Sequence, residues 1–482
     1  MSSSLILSVI VGYFILLILI SYFTGKSDSN DSFFLGDKQS PWYVVAFGML
    51  GATLSGITFI SIPGKVIDNS FSYMQMTMGF FFGYLIIALV LIPLYYRMNL
   101  TSIYGYLKER FGNSSYKIGS SFFLLSRVMG ASLRLYVVAN VLQMAVFEAW
   151  GVPYVITVLI TILLIWVYTF RSGIKTIIWT DTLQTLFMLV AVGTSIYLIS
   201  DELNLGFTSL ITTISDSEYS QVFFWDEENH FLKQFFAGVF IAIVMTGLDQ
   251  DMMQKNLSCR TKKDAQKNLY WFSGALVIVN LVFLSLGALL YIYASQTVPP
   301  ITAKYDDLFP TIALGGLGVG VGLIFILGLI AAAYSSADSA LTSLTTSFCV
   351  DILDFKKDGD QKKQIKTRKM VHLMFSFILL VVILIFKKLN LDRSVIDSLF
   401  TLAGYTYGPL LGLYAFGMAT KWKVKDKFVP IVCLLSSFIT YYIGENSEVW
   451  FNYKFGFELL ILNGFITFIG LDSLREGEYD WQ

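Results

Sequence analysis

The stretch AAAYSSADSALTSLTT, Ala331 to Thr346, sets Ser335, Ser336, Asp338 and Ser339 inside a segment whose remaining character is that of a membrane helix. An ionisable group near the bilayer centre is unfavourable by roughly 2.5 to 3.5 kcal/mol on insertion scales, so something must offset that cost. Hydroxyl and carboxylate oxygens without thiolate or imidazole suit a hard cation, and one carboxylate carries too little charge for an all-protein calcium cage. Sodium or a proton is the expected occupant.

The rest of the chain agrees with a membrane setting. Of 482 residues, 55% are hydrophobic and 14% charged, and the mean hydropathy is +0.65; a water-soluble core of this size needs far less apolar material. Apolar runs long enough for a hydrocarbon core of about 30 Å fall at 4–23, 43–64, 73–96, 117–148, 153–170, 177–200, 231–252, 270–296, 314–349, 370–387, 394–419, 428–444 and 455–471. The reading is an all-α polytopic membrane protein of about thirteen spans in a single membrane domain, 1–482. Only Met1 to Ser4 precede the first run, with no basic leader or cleavage site, so it reads as a retained helix rather than a signal peptide.

Sidedness follows from basic residues. With the amino terminus outside, the cytoplasmic loops hold Arg97, Lys108, Arg110 and Lys117; Arg171 and Lys175; Lys255, Arg260, Lys262, Lys263 and Lys267; Lys356 to Lys369; and Lys421 to Lys427. The longest outer loop, Asp201 to His230, has seven acidic residues and no Lys or Arg, while Lys387 and Lys388 are the main exception. The carboxyl terminus is then cytoplasmic, and a multi-pass protein of a cell (inner) membrane is expected. These basic clusters are short and membrane-adjacent, which argues against a nucleic-acid partner. Cys259, Cys349 and Cys433 lack metal-ligand spacing and imply neither a disulfide framework nor a zinc site. His230 and His372, the only histidines, leave little for His-based catalysis.

Transporters often bind solute and ions at the midplane, where a helix is interrupted and its freed backbone groups become ligands. Gly48 to Gly64, with glycines at 48, 51, 56 and 64 plus Pro63, is one candidate break, and Gly238 to Asp251, with Gly247 before Leu248-Asp249-Gln250-Asp251, is another. Five spans separate them. An odd number gives opposite topologies, so 43–200 and 231–420 form two candidate inverted repeats, with 4–23 leading and 428–471 trailing. Glycine also serves helix packing. By helical rise, Asp181 and Asp338 sit at comparable depth in the inner half, so a shared site is geometrically open to them.

Four motifs carry a resemblance: TDTLQ at Thr180 to Gln184, DQDMMQKNLSCR at Asp249 to Arg260, AAAYSSADSAL at Ala331 to Leu341, and AGYTYGPLLGL at Ala403 to Leu413. In this order and topology they resemble the sodium/solute symporter family, over nearly the whole chain. The resemblance implies a five-plus-five inverted repeat with one leading and two trailing helices. It implies a principal sodium site at positions like Gly51, Leu54, Ala332, Ser335 and Ser336, built from backbone carbonyls at the break and two hydroxyls. It also implies, in some members, a second cation site like Asp181, Ser335, Asp338 and Ser339. A serine is expected at 338, so the carboxylate of Asp338 is a departure: it either strengthens cation binding or carries a proton, alone or shared with Asp181.

For the solute, Thr53, Ser55 and Thr58, with Phe71 and Gln75 on the next helix, resemble the sialic-acid transporters of that family. An arginine should then meet the carboxylate, because its planar fork binds it bidentately. Arg134, nearer mid-helix, is preferred over Arg127, for which a structural ion pair is the other reading. Asp249 and Gln250, with Asp251, either touch substrate or mark a wet helix end, and Tyr405 and Tyr407 are either gate residues or packing anchors. The expected activity is sodium-coupled uptake of a small polar or anionic solute, sialic acid first and another sugar or small solute second, by alternating access. A charge crossing about 100 mV supplies about 2.3 kcal/mol toward this work. The rival of a different class is an intramembrane aspartyl hydrolase using Asp181 and Asp338; no Gly-x-Gly-Asp element surrounds either residue. Partners are then a small solute, sodium and the bilayer; the sequence leaves oligomeric state open.

Overall fold

The computed structural model describes residues 3–24, 29–170, 173–225, 229–297, 299–303, 305–315, 317–355, 359–389, 395–453 and 455–478. Arg171, Lys356, Lys357 and the acids Asp226 to Glu228 therefore lie outside the described residues. In chain order the helical segments are α1 (Ser3–Thr24), α2a (Trp42–Thr53) with α2b (Gly56–Gly64), α3 (Tyr73–Arg97), α4 (Asn113–Trp150), α5 (Tyr154–Thr169) and α6 (Ile174–Glu202). They continue with α7a (Phe231–Gly247) and α7b (Gln250–Leu257), α8 (Lys262–Gln296), α9 (Val319–Ile352), α10 (Gln361–Leu389), α11 (Val395–Ala419), α12 (Val429–Phe451) and α13 (Leu459–Asp472). Among the described residues eight helices are long and apolar enough to cross a membrane alone, and the α2 and α7 pairs reach that length and apolarity only when each bent pair is taken together. The order follows the apolar runs, but α8 and α10 begin well before theirs, at Lys262 and Gln361. An apolar run reports bilayer crossing; polar first turns stay helical when capped, as at Thr261, whose hydroxyl accepts from Asp264 N at 3.1 Å.

The two breaks have distinct local causes. Leu54 N–H still closes onto Leu50 O, but Leu54 then takes ψ 68° and Ser55 is extended at ψ 173°, and the pieces meet at 57°. Leu248 (ψ 15°) and extended Asp249 (ψ 122°) interrupt α7 at 64°, immediately after a π-turn over Ile243–Gly247. Asp249 caps α7b, its carboxylate accepting from the amides of Asp251 (2.9 Å) and Met252 (3.3 Å).

Small residues allow the close packing that lipid-embedded helices need. An added Cβ on Gly79 of α3 would stand 2.1 Å from Phe235 O of α7a, and one on Gly238 would stand 2.2 Å from Met76 O. Gly51 of α2a likewise lies against α6, where a Cβ would meet Thr185 Oγ1 at 2.2 Å. Loops gather at two ends. At the lysine- and arginine-rich end, the Asp426 carboxylate accepts from the amides of Ser114 and Ser115, Lys117 pairs with Asp354 at 2.7 Å, and Lys175 pairs with Asp37 at 2.8 Å. At the other end Phe71 N bonds Gln221 O, Tyr305 OH bonds Asp68 at 2.7 Å, and Lys233 pairs with Glu458 at 3.2 Å. One departure from an all-α reading exists among the described residues: an antiparallel ribbon of β1 (Trp422–Val424) with β2 (Arg475–Glu478).

Candidate functional site

Helix α9 delivers its polar stripe to four different neighbours. Ser336 Oγ donates to the carbonyl of Ala52 at 3.1 Å, one residue before the end of α2a, and to Ala332 O of its own helix at 3.3 Å. Ser335, one position earlier, points to α6 and donates to Asp181 Oδ1 at 2.6 Å. Ser339 donates to Asp251 of α7b, and Asp338 Oδ1 accepts from the Ser339 amide at 2.5 Å while its Oδ2 accepts from Tyr168 OH at 2.9 Å. Every one of these side chains is buried.

The donor set beside the α2 break fits a hard monovalent ion. Ser336 reaches the break directly, Ala332 and Ala52 present carbonyls to the same hydroxyl, and Thr53 Oγ1 is buried with no hydrogen-bond partner. Oxygen ligands alone, several of them backbone, match the preference of such a cation for interrupted helices. Gly51 stands at the α6 contact and Leu54 at the turn between the half-helices.

The second expected cation cluster holds two bonded pairs, Ser335 with Asp181 and the Ser339 amide with Asp338, and a cation of the protein's own enters it. Asp181, which is fully buried, pairs its Oδ2 with Lys255 Nζ at 2.7 Å, and Lys255 is only 1% exposed. The reading of Lys255 as a loop cation is thereby corrected. The lysine follows a polar run, Asp249 to Gln254, that packs inside the protein as α7b, and α7b carries the ammonium inward to α6. Asp181 and Asp338 bind different partners, so the paired-carboxylate geometry of an aspartyl hydrolase is not formed.

Above this floor lies a partly open cavity bounded by α2, α3, α4, α7a, α11 and Met252 of α7b. Thr53, Ser55, Thr58, Arg127 and Arg134 line it, along with Tyr73, Tyr84, Thr246 and Phe400, which sequence reasoning did not single out. Tyr73 and Phe400 also border a second cavity that reaches Lys65, Ser70 and Asn229 at the acidic end. The two arginines differ. Arg127 forms ion pairs with Asp249 (3.1 Å) and with Asp251, while Tyr407 OH donates to the other oxygen of Asp249. Arg134 is 7% exposed, faces the cavity and forms no ion pair among the described residues, and its Nε lacks a partner.

Several expected substrate contacts are built into the scaffold instead. Gln75 Nε2 donates to Asn229 O at 3.0 Å and its Oε1 accepts from Phe224 N at 3.2 Å, so it braces the outer loop; neither it nor Phe71 lines the larger cavity. Facing i,i+4 residues were readable, but the loop that folds over them was not. Gln250 bonds Ile103 N and Thr101 O, and Asp249 caps α7b and holds Arg127; neither lines the cavity. Tyr405 packs edge-on against Tyr441 of α12 at 5.8 Å, whereas Tyr407 reaches the Asp249–Arg127 cluster.

Two broken helices, a helix that meets the first break with hydroxyls, and a polar cavity beside them define a secondary transporter fold. A family model described as the sodium:solute symporter family matches residues 33–420. The chain belongs to that family. It is 24% identical to the sodium/sialic acid symporter SiaT of Proteus mirabilis over 95% of this chain and 94% of that protein. It is 23% identical to the sodium/sialic acid symporter NanT of Aliivibrio fischeri over 92% and 89%. A solved Na+-coupled sialic acid symporter in a substrate-bound, outward-open state shares the fold, with a TM-score of 0.82 at 21% identity over 98% of this chain and 99% of that one.

Proposed function

We propose that this protein takes up a small anionic solute, with sialic acid the first candidate, driven by sodium bound between the α2 break and Ser336 of α9. The single observation that carries the reading is Arg134: a buried guanidinium without an ion-pair partner, aimed into a cavity whose rim includes Thr53, Ser55 and Thr58. Burying such a charge is costly unless an anion meets it, and a carboxylate accepts its planar fork bidentately. The hydroxyls then hold the polyhydroxylated remainder.

Gly51, Leu54, Ala332, Ser335 and Ser336 are the proposed sodium ligands. Sodium there joins α2 to α9 and favours the conformation in which the cavity opens through Tyr73 and Phe400 toward the acidic end. Below the cavity, the cluster of Arg127, Asp249, Asp251, Ser339 and Tyr407 ties α4, α7b, α9 and α11 together, and inward release requires it to part. We read 43–200 and 231–420 as the two inverted repeats, the basic end as cytoplasmic, and the amino terminus as outside. Another sugar or small carboxylate is the second candidate solute. The test is uptake of labelled N-acetylneuraminate by proteoliposomes with an imposed sodium gradient. Uptake that persists unchanged with choline in place of sodium would overturn the coupling; sodium-dependent uptake of another carboxylate alone would change the solute.

A further inference from the structure

We propose that Lys255 supplies, as a tethered ammonium, the positive charge that a second cation would otherwise bring to Asp181, so that this chain carries one sodium per cycle. The inference rests on the sodium-symport reading above and specifies its stoichiometry. The carboxylate expected to anchor a second ion is already paired with an ammonium, and the other three side chains expected around it bond one another or the scaffold. Asp181 Oδ2 meets Lys255 Nζ at 2.7 Å and Oδ1 accepts from Ser335 Oγ at 2.6 Å. Asp338 accepts from Tyr168 OH and the Ser339 amide, and the Ser339 hydroxyl donates to Asp251.

The chemistry of the replacement is direct. A lysine ammonium is a compact unit charge with three donors, and here it is as deeply buried as the carboxylate it neutralises. Its helix is fixed: Asp249 caps α7b, and Gln254, the neighbouring residue, donates to Phe34 O at 2.7 Å and to Thr346 of α9 at 3.0 Å. A cation carried on a packed helix is already in place and loses no translational freedom in meeting Asp181. A sodium ion entering beside it would face a like charge in a poorly screened interior. Lys255 therefore excludes the second ion by charge and by occupancy, while the Ser336 position, whose hydroxyl meets only the carbonyls of Ala52 and Ala332 among the described residues, keeps its exchangeable one.

Equilibrium binding of radiosodium to the purified full chain in detergent tests this without any solute. One sodium per chain is expected for the natural protein, two for Lys255→Ala, and one for the neutral pair Asp181→Asn with Lys255→Met. Two ions on the natural protein, or one on a Lys255→Ala variant that keeps its thermal unfolding transition, would overturn the proposal. If Lys255→Ala does not fold, Lys255→Gln decides: a count of two supports the lysine's role, and a count of one refutes it. A natural protein that binds no sodium removes the symport reading itself, an outcome distinct from a count of two.

Discussion

If the proposed sites hold, Arg134 and Ser336 are the two side chains at which substitution separates solute from ion. Arg134→Lys keeps the charge and loses the fork, so the half-saturation concentration for N-acetylneuraminate is expected to rise about tenfold, about 1.4 kcal/mol, with the sodium dependence little changed. Ser336→Ala removes one ligand and is expected to raise the sodium half-saturation about fivefold, the effect of losing about 1 kcal/mol of polar contact. Initial uptake rates over a sodium and solute grid check both, and equal effects on the two ligands would contradict the separation. These residues stood out in the sequence because a polar atom in an apolar run has few reasons to be there. Lys255 did not, since a lysine beside Arg260 and Lys262 counts toward a basic loop until α7b is seen to turn inward. Gln75 failed for the opposite reason: its position was readable, but its partner, the Asn229 carbonyl, belongs to a loop more than a hundred residues away.

At the level of elements, the pairing of α3 with α7a depends on backbone contact at glycines. Gly238→Leu would force a side chain into Met76 O, which an ideal Cβ already approaches to 2.2 Å, and overpacking of this kind costs about 1–3 kcal/mol. A lowered apparent Tm in detergent, with solute affinity reduced because Tyr73 and Tyr84 of α3 line the cavity, is the expected outcome; an unchanged Tm would show that the helices part without penalty. The breaks themselves were legible, because glycine beside polar residues in a membrane run invites interruption. Their detail was not: the π-turn before Leu248 and the capping role of Asp249 arise from how α7b docks. Helix starts were also displaced, at α8 and α10, where polar turns extend past the apolar run.

Across the whole molecule, charge sorts the two ends. Thr208 lies exposed in the short helix Phe207–Ser215 that follows α6 and Lys423 lies exposed in β1, while the native Cys259, Cys349 and Cys433 are buried. Single cysteines placed as Thr208→Cys and Lys423→Cys should therefore report sidedness with a membrane-impermeant maleimide on intact cells. Labelling at 208 alone is expected; labelling at 423 alone would invert the orientation. The β ribbon carries a consequence of another kind. β1 leaves the ribosome before α12 and α13 exist, and its partner β2 follows α13, with Trp422 set opposite Glu478. Lys425 N also bonds Leu474 O, and the Arg475 guanidinium lies 4.8 Å over the Trp422 ring. During synthesis the strand after α11 thus stays unpaired until both trailing helices and the residues beyond them have been made, so the ribbon is a contact that only the finished carboxyl-terminal segment can close.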